Sequence, residues 1–353
     1  MHKIISVLGA LVLLAGCASS PQSAGGSKSP SKQKAPAWVE NPRSAYPEAQ
    51  FVSAVGYAKD RETAEKSAVS ALIAVFGQNI KGETRISERY TEAVRSGAVT
   101  VTEDSELNRA MSSSVSMNSV IGAEIKDVWE DGAGTVYAVA VMDKLKASST
   151  YSRLLETNEE TIASLRNIRA EEADTLDAYA RHDLAAAIAD TNQQFLNVLS
   201  IVNPAMAAAK RASVSSGDDI RLECLRIAQT IPIAVTVTGD RDERIRSSFA
   251  DVLSASGFKT GNSSSRYSLE VSLSLSEVAL ANNDNKFVRY VIDSKLTDSA
   301  TAQVLLPWNV NGREGHTSVP EAENRAFRAA EKKIRSEFGG KFTGYLSQLA
   351  AKR

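Results

Sequence analysis

Tyr267-Ser268-Leu269-Glu270-Val271-Ser272-Leu273-Ser274-Leu275-Ser276 alternates apolar and polar residues without a break. A strict period of two over this length describes a strand with one face in a core and the other in water. Working outward, Asn282-Asn283-Asp284-Asn285 turns the chain, and Val288, Tyr290, Ile292 and Leu296 alternate on the way back. A third strand is predicted near Ala302 to Val310. Upstream, Ile231 to Thr238 is strand-like, and Asp240-x-x-Glu243 has the form of a capping box opening a helix. Ile245, Phe249, Val252 and Leu253 mark the inner stripe of that helix, which Gly257 closes. Downstream, Ser318-x-x-Glu321 opens a last helix with the stripe Ala322, Ala326, Ala329, Ile334, Phe338, Phe342, Tyr345 and Leu349, kinked at Gly339-Gly340. Strand, helix, antiparallel strands, helix: residues 231–353 read as a small α/β sandwich.

A second unit of this kind is predicted over residues 36–150. Phe51 to Gly56 reads as a short strand closing on glycine, and Asp60 as the N-cap of a helix with Glu62 in its first turn. Ala64, Ala68, Ala71, Leu72, Val75 and Phe76 share one face of that helix, whose alanines let it lie close to a sheet. From Glu83 to Glu106 the pattern reads as polar and strand-like. Ile121 to Trp129, the turn Asp131-Gly132 and Thr135 to Met142 form a hairpin. The uninterrupted apolar run of its second strand implies burial on both faces.

Ala37-Trp38-Val39, the Val55-Gly56-x-Ala58 turn, the alanine-rich helix and the Trp129…Tyr137-Ala138-Val139-Ala140 hairpin resemble the Lpp-twenty outer-membrane lipoprotein family. That family includes flagellum-associated lipoproteins. Its motifs are packing motifs, so the resemblance implies a fold and transfers no catalytic residue; Trp38, Gly56, Trp129 and Tyr137 read as core or turn residues. The order of elements in 231–353 is similar to the TolB amino-terminal domain. This fold also occurs in lipoprotein activators of penicillin-binding proteins, in the curli secretion lipoprotein and in flagellar ring proteins. The flagellar ring proteins carry a further C-terminal β domain, for which this chain has no counterpart.

Between the two units, 151–230 reads as a helical segment without strict heptads. Leu154, Leu155, Ile162, Leu165 and Ile168 form one stripe; Leu176, Tyr179, Leu184, Ile188, Phe195, Leu196 and Leu199 form another, which predicts two paired helices. Ser213 to Gly217 breaks the pattern before a short helix carrying Cys224, whose neighbours Leu222, Leu225 and Ile227 suit a core. The acidic residues Glu159, Glu160, Glu171, Glu172 and Asp174 lack a histidine partner and sit among arginines, so a solvated helix face is expected there and no metal site.

At the start of the chain, His2 and Lys3 precede an apolar run from Ile4 to Leu14 that is short of the roughly 20 residues of a membrane span. Leu14-Ala15-Gly16-Cys17 follows directly and resembles a bacterial lipoprotein signal. The resemblance implies cleavage between Gly16 and Cys17 and acylation of the Cys17 thiol, palmitate included. Such chains on one cysteine exceed the two-signal threshold for stable anchoring. Ala18, where inner-membrane lipoproteins carry Asp, points to the outer membrane. Up to Ala35 the chain is Ser, Gly, Pro, Gln and Lys, the composition of a disordered tether.

The class is therefore α+β: signal peptide 1–16, lipid anchor and tether 17–35, an α/β domain 36–150, a helical segment 151–230 and an α/β domain 231–353. A formal net charge of -1 argues against a nucleic-acid partner, which needs a concentrated basic face. Cys224 is the only cysteine beyond Cys17, so no intrachain disulfide is expected after acylation. No phosphate loop, nucleophile elbow or His-Glu-x-x-His occurs, and neither an enzymatic activity nor a cofactor is expected. The densest polar stretch runs from Asn309 to His316; it is read either as an ordinary connection or as a loop presenting Arg313, Glu314 and His316 to a partner. The expected role is a non-enzymatic component of a cell-envelope assembly, touching the membrane through its lipid, envelope proteins through its domains, and other copies of itself. Binding of peptidoglycan or a small ligand is the alternative.

Overall fold

The computed structural model describes residues 34–77, 84–97, 99, 120–281 and 283–351. Two short turns, α1 (Ala37–Glu40) and α2 (Pro42–Ala45), lead into strand β1 (Phe51–Ala58) and helix α3 (Arg61–Val75). Asp60 caps α3: its carboxylate accepts from the Thr63 N–H at 2.9 Å, a bond that holds its pKa below the usual range. Helix α4 (Thr84–Arg95) comes next, then strands β2 (Ala123–Glu130) and β3 (Val136–Asp143). The strand-like reading of 83–106 is corrected here, since 84–95 is helical. Tyr90 and Ala93 turn into the core one helical turn apart, and that burial outweighs the β preference of the surrounding Thr and Val residues. The rest of that stretch lies outside the described residues apart from 96, 97 and 99.

The three strands form an antiparallel sheet in the order β1-β3-β2. Central β3 is buried on both faces, as its apolar run implied. Asp131 Oδ1 accepts from the N–H groups of Ala133 and Thr135, both at 2.8 Å, and closes the hairpin. Gly56 is not a turn residue: it sits within β1, where a Cβ would lie 2.0 Å from the backbone nitrogen of Ala68. Glycine is needed there because α3 lies on the strand through Ala64 and Ala68, both fully buried. Val75 leaves the expected stripe and is exposed at the last position of α3, while Phe76 folds into the core after it. On the opposite face of the sheet, Trp38 covers Val139 and Val141, and its indole N–H donates to Asp127 at 2.9 Å.

Helix α5 (Lys144–Arg166) continues from β3 with Asp143 as its cap. Helices α6 (Leu176–Val202), α7 (Pro204–Arg211) and α8 (Gly217–Thr230) follow, capped by Thr175, Asn203 and Ser216. Leu154, Leu155 and Ile162 of α5 meet Leu184, Ile188, Phe195, Leu196 and Leu199 of α6 in the core of the first unit, while Leu176 and Tyr179 of the second predicted stripe pack in the second core. A polar relay crosses this core. The Tyr90 hydroxyl donates to Asn158 Oδ1 at 3.0 Å, Asn158 Nδ2 to Asn192 Oδ1 at 2.6 Å, and Asn192 Nδ2 to Glu159 Oε1 at 2.7 Å. Glu159 in turn accepts from the Ser215 N–H and hydroxyl. Asn158 and Asn192 have no exposed surface, and Glu159 is half-buried and fully engaged, unlike the solvated residue expected.

Strand β4 (Ile233–Thr238), helix α9 (Arg244–Ala255), β5 (Thr260–Gly261), β6 (Tyr267–Val278), β7 (Lys286–Asp298) and β8 (Gln303–His316) build the second sheet, ordered β5-β4-β6-β7-β8. β4 runs parallel to β5 and β6, and the other neighbours are antiparallel. Of the Asn282–Asn285 turn, Asn282 lies outside the described residues; Asn283 accepts from the Asn285 N–H at 3.0 Å. The predicted alternation holds: Tyr267, Leu269, Val271 and Leu273 are buried against α9, α10 (Val319–Lys333) and α11 (Gly339–Ala351). Phe249 meets Phe338 edge to face at 4.8 Å within that core.

The capping box at Asp240-x-x-Glu243 is corrected. Glu243 precedes α9 in the left-handed region at φ 55, and Asp240 alone caps it, accepting from the N–H groups of Arg244 and Arg246. Ser318 caps α10 by position without a side-chain bond. In place of a kink at Gly339-Gly340, a π-helical turn at Ile334–Phe338 joins α10 to α11. Ala322, Ala326, Ala330, Ile334, Phe338 and Phe342 recur every four residues, all buried. That spacing outruns the 3.6-residue turn, and one wider turn takes up part of the lag.

Two outcomes follow from this packing. Gly56→Ala should destabilise the protein by about 3 kcal/mol, because backbone cannot yield as a side-chain tip can. Asn192→Ala should cost about 3 kcal/mol by stripping Asn158 and Glu159 of a buried partner. Denaturant titration of each full chain checks both, and a loss below about 1 kcal/mol would count against the corresponding contact.

Candidate functional site

Gly16 and Cys17, the predicted cleavage and acylation positions, lie outside the described residues. No helix of the described residues is long and apolar enough to cross a membrane. The body begins close to buried Trp38, so any tether ahead of it is pinned to the first sheet through the indole bond to Asp127.

Arg313, Glu314 and His316 are not in a loop: β8 extends through His316 and pairs with β7 as far as Lys286. Alternation along the strand sends Arg313 to one face and Glu314 and His316 to the other, so the three do not converge. The glycines that suggested a loop make room for aromatic rings instead. A Cβ on Gly312 would lie 2.4 Å from the hydroxyl of Tyr290, and one on Gly315 would lie 2.4 Å from the Phe287 ring. The Arg313 guanidinium sits 5.5 Å from the centre of that same ring. His316 Nδ1 lies 3.3 Å from the Thr317 hydroxyl.

Two open grooves flank Ser215 and Ser216, one between the end of α5 and α8 and the other between α6 and α8. The larger, about 430 Å³, is lined by Arg166, Asp219, Glu223 and Arg226 beside the two serines. Arg166 grips Glu223 with a forked pair at 2.8 and 2.9 Å. The smaller, about 230 Å³, holds Arg221 between Asp190 and Asp218. Beneath the larger groove, buried His182 has Nδ1 3.0 Å from the Ala178 carbonyl and Nε2 3.9 Å from Glu223. Burial lowers its pKa, which keeps the imidazole neutral, with Nδ1–H as donor to that carbonyl. Neither the paired serines nor the relay that holds them was singled out from sequence. The signal was present as Asn158 and Asn192, polar residues lying on apolar helix stripes.

Cys224 is buried with Ile220 and Ala228 rather than among Leu222 and Leu225, which are exposed. The thiol lies 3.7 Å from the Tyr179 carbonyl, and burial pushes its pKa up to about 12. A thiol so placed is a poor nucleophile. Among the described residues no group of three or more His, Cys, Asp or Glu is placed to hold a metal ion.

The outer face of the first sheet carries an aromatic row. Trp129, Tyr137 and Tyr57 lie side by side on β2, β3 and β1, with ring centres 5.6 and 6.0 Å apart. Tyr57 is 68% exposed, so this end of the row is a surface feature and not core. The Trp129 indole N–H is buried and has no acceptor among the described residues.

No curated protein sequence matches the chain. Three solved structures are similar to parts of it. A candidate lipoprotein from Caulobacter crescentus CB15 is 20% identical over 34% of this chain and 92% of its own, with a TM-score of 0.24. The secreted protein HP1454 of Helicobacter pylori is 11% identical over 81% of this chain and 97% of its own, at 0.40. A minor lipoprotein from Acinetobacter baumannii is 12% identical over 33% of this chain and 93% of its own, at 0.25. The model of the LPP20 lipoprotein family matches residues 36–143, the span from just before Trp38 to the end of β3. Residues 36–143, which form the amino-terminal sheet unit, are thus similar to the LPP20 lipoprotein domain.

Proposed function

We propose that this chain is anchored to the outer membrane by acylated Cys17 and acts there without catalysis, as a protein-contact component of an envelope assembly. The reading is carried by a stretch that resembles a lipoprotein signal, followed by residues that match the LPP20 family model, in a body with two surfaces suited to protein contact. These are the aromatic row on the first sheet and the outer face of the second sheet. The latter is left bare by all three helices of its unit and is lined by Ser272, Ser274, Arg289, Lys295, Asn309 and Asn311. One face is aromatic and the other polar, which suits two different protein neighbours. The groove beside Arg166 and Arg226 supports a second reading, recognition of an acidic envelope ligand.

Mass spectrometry of the processed protein should find Cys17 at the N-terminus carrying acyl chains, with residues 1–16 removed. A bare thiol or a retained leader would overturn the anchor. Crosslinking in intact cells followed by pull-down should recover envelope proteins with the full chain. A partner set without envelope proteins, unchanged when residues 1–17 are deleted, would overturn the assembly role.

A further inference from the structure

Among the described residues the two sheets end in four edges without a strand partner, and three of them are defended against pairing with another strand. β2 carries a register shift between Ile125 and Asp127 and the charges Glu124, Lys126, Asp127 and Glu130. β5 is two residues long. β8 contains Pro307 and a register shift opposite Leu296 and Thr297. Its outward carbonyls at Asn311 and Gly315 are covered by Lys333 Nζ and Arg325 Nη1, each at 3.3 Å. β1 has none of these devices. Phe51-Val52-Ser53-Ala54-Val55-Gly56-Tyr57-Ala58 holds no charge and no proline, and its register with β3 is continuous.

The groups that β1 offers are identified by one bond. Lys144 N–H donates to the Gln50 carbonyl at 2.9 Å, and Gln50 faces Lys144 in the register that begins Phe51↔Asp143. Even-numbered residues of β1 therefore bond to β3, and Ser53, Val55 and Tyr57 direct N–H and C=O outward. Phe51 N–H is taken up by the Pro47 carbonyl.

We propose that β1 pairs antiparallel with β1 of a second copy, Val55 facing Val55 and Ser53 facing Tyr57, about a two-fold axis normal to the sheet. In that register the three outward residues of each strand exchange about six backbone hydrogen bonds. The strand is its own complement: having no charge, it meets none, and aligned outer faces join the two sheets into one of six strands. The helices also allow it. The atoms nearest a Cβ on Gly56 are Ala68 N and Ser67 C, so β1 runs beneath the Ser67 side of α3. Ser67, Ala71 and Ala74 line that side, and residues this small let two copies of α3 lie together at an ordinary interaxial distance of about 8–10 Å. A contact of this symmetry closes on itself and yields a dimer, not a fibre.

Full-length chains with one cysteine added to Cys17 and the buried Cys224, expressed in cells, test the register. Val55→Cys should give a disulfide-linked dimer under mild oxidation, because Cα atoms in such a pair lie about 5.5 Å apart. The unmodified chain, Glu124→Cys on β2 and Val304→Cys on β8 should give no disulfide-linked dimer. Val55→Lys and Val55→Glu, purified separately in detergent, should each be monomers by light scattering that still unfold in one cooperative transition, and should form a heterodimer when mixed. A monomeric Val55→Cys chain, equal crosslinking at the β2 or β8 positions, or dimers that survive Val55→Lys would overturn the proposal.

Discussion

Helix α6 is the member on which the rest of the structure depends, because both hydrophobic cores are built on it. Leu176 and Tyr179, in its first turn, pack with Cys224, Phe258 and the second sheet. From Ala180 to Val202 its buried side chains belong to the first core. At 27 residues the helix is about 40 Å long, enough to run beside one unit and reach the next. Its N-terminus is seated on the second unit, where the Leu176 N–H donates to the Tyr267 hydroxyl at 3.2 Å. What the sequence presents as a segment between two sandwiches is structurally part of each.

The polar relay explains why α6 lies where it does. Apolar helix faces slide past one another at small cost, whereas two buried amides that must meet fix a single alignment. Asn158 meets Asn192 across the α5–α6 contact, and the chain of bonds extends to Tyr90 on α4 and Ser215 before α8. Four pieces of backbone are aligned by five side chains. The same bonds hold Ser215 in place, so the two grooves beside it are held from inside the core.

Local signals were legible and long-range ones were not. Asp60, the apolar run of β3 and the alternation of β6 each report their own surroundings, and all three behave as written. Residues 84–95 misled because Thr and Val favour strands when isolated, while the positions of Tyr90 and Ala93 matter only once a core exists. Asn309 to His316 misled because glycine and asparagine usually mark loops; here the glycines answer to Tyr290 and Phe287 on the next strand, a relation invisible before pairing. Leu222 and Leu225 flank Cys224 in sequence, yet a helix turns neighbours away from one another and buries residues four apart. Of the positions singled out for function, the acylation site lies ahead of the described body. The surfaces on that body depend on which sheet faces are left bare, a property of assembly more than of motif.

Sharing one helix between two cores has a consequence for inheritance. A gene truncated before β4 would encode a product whose α6 still begins with Leu176 and Tyr179, now bare, and whose Cys224 had lost its cover. Recombination that exchanged the carboxy-terminal half for that of another protein would have to bring a matching socket for that first turn. The two units are therefore expected to be transmitted as one piece.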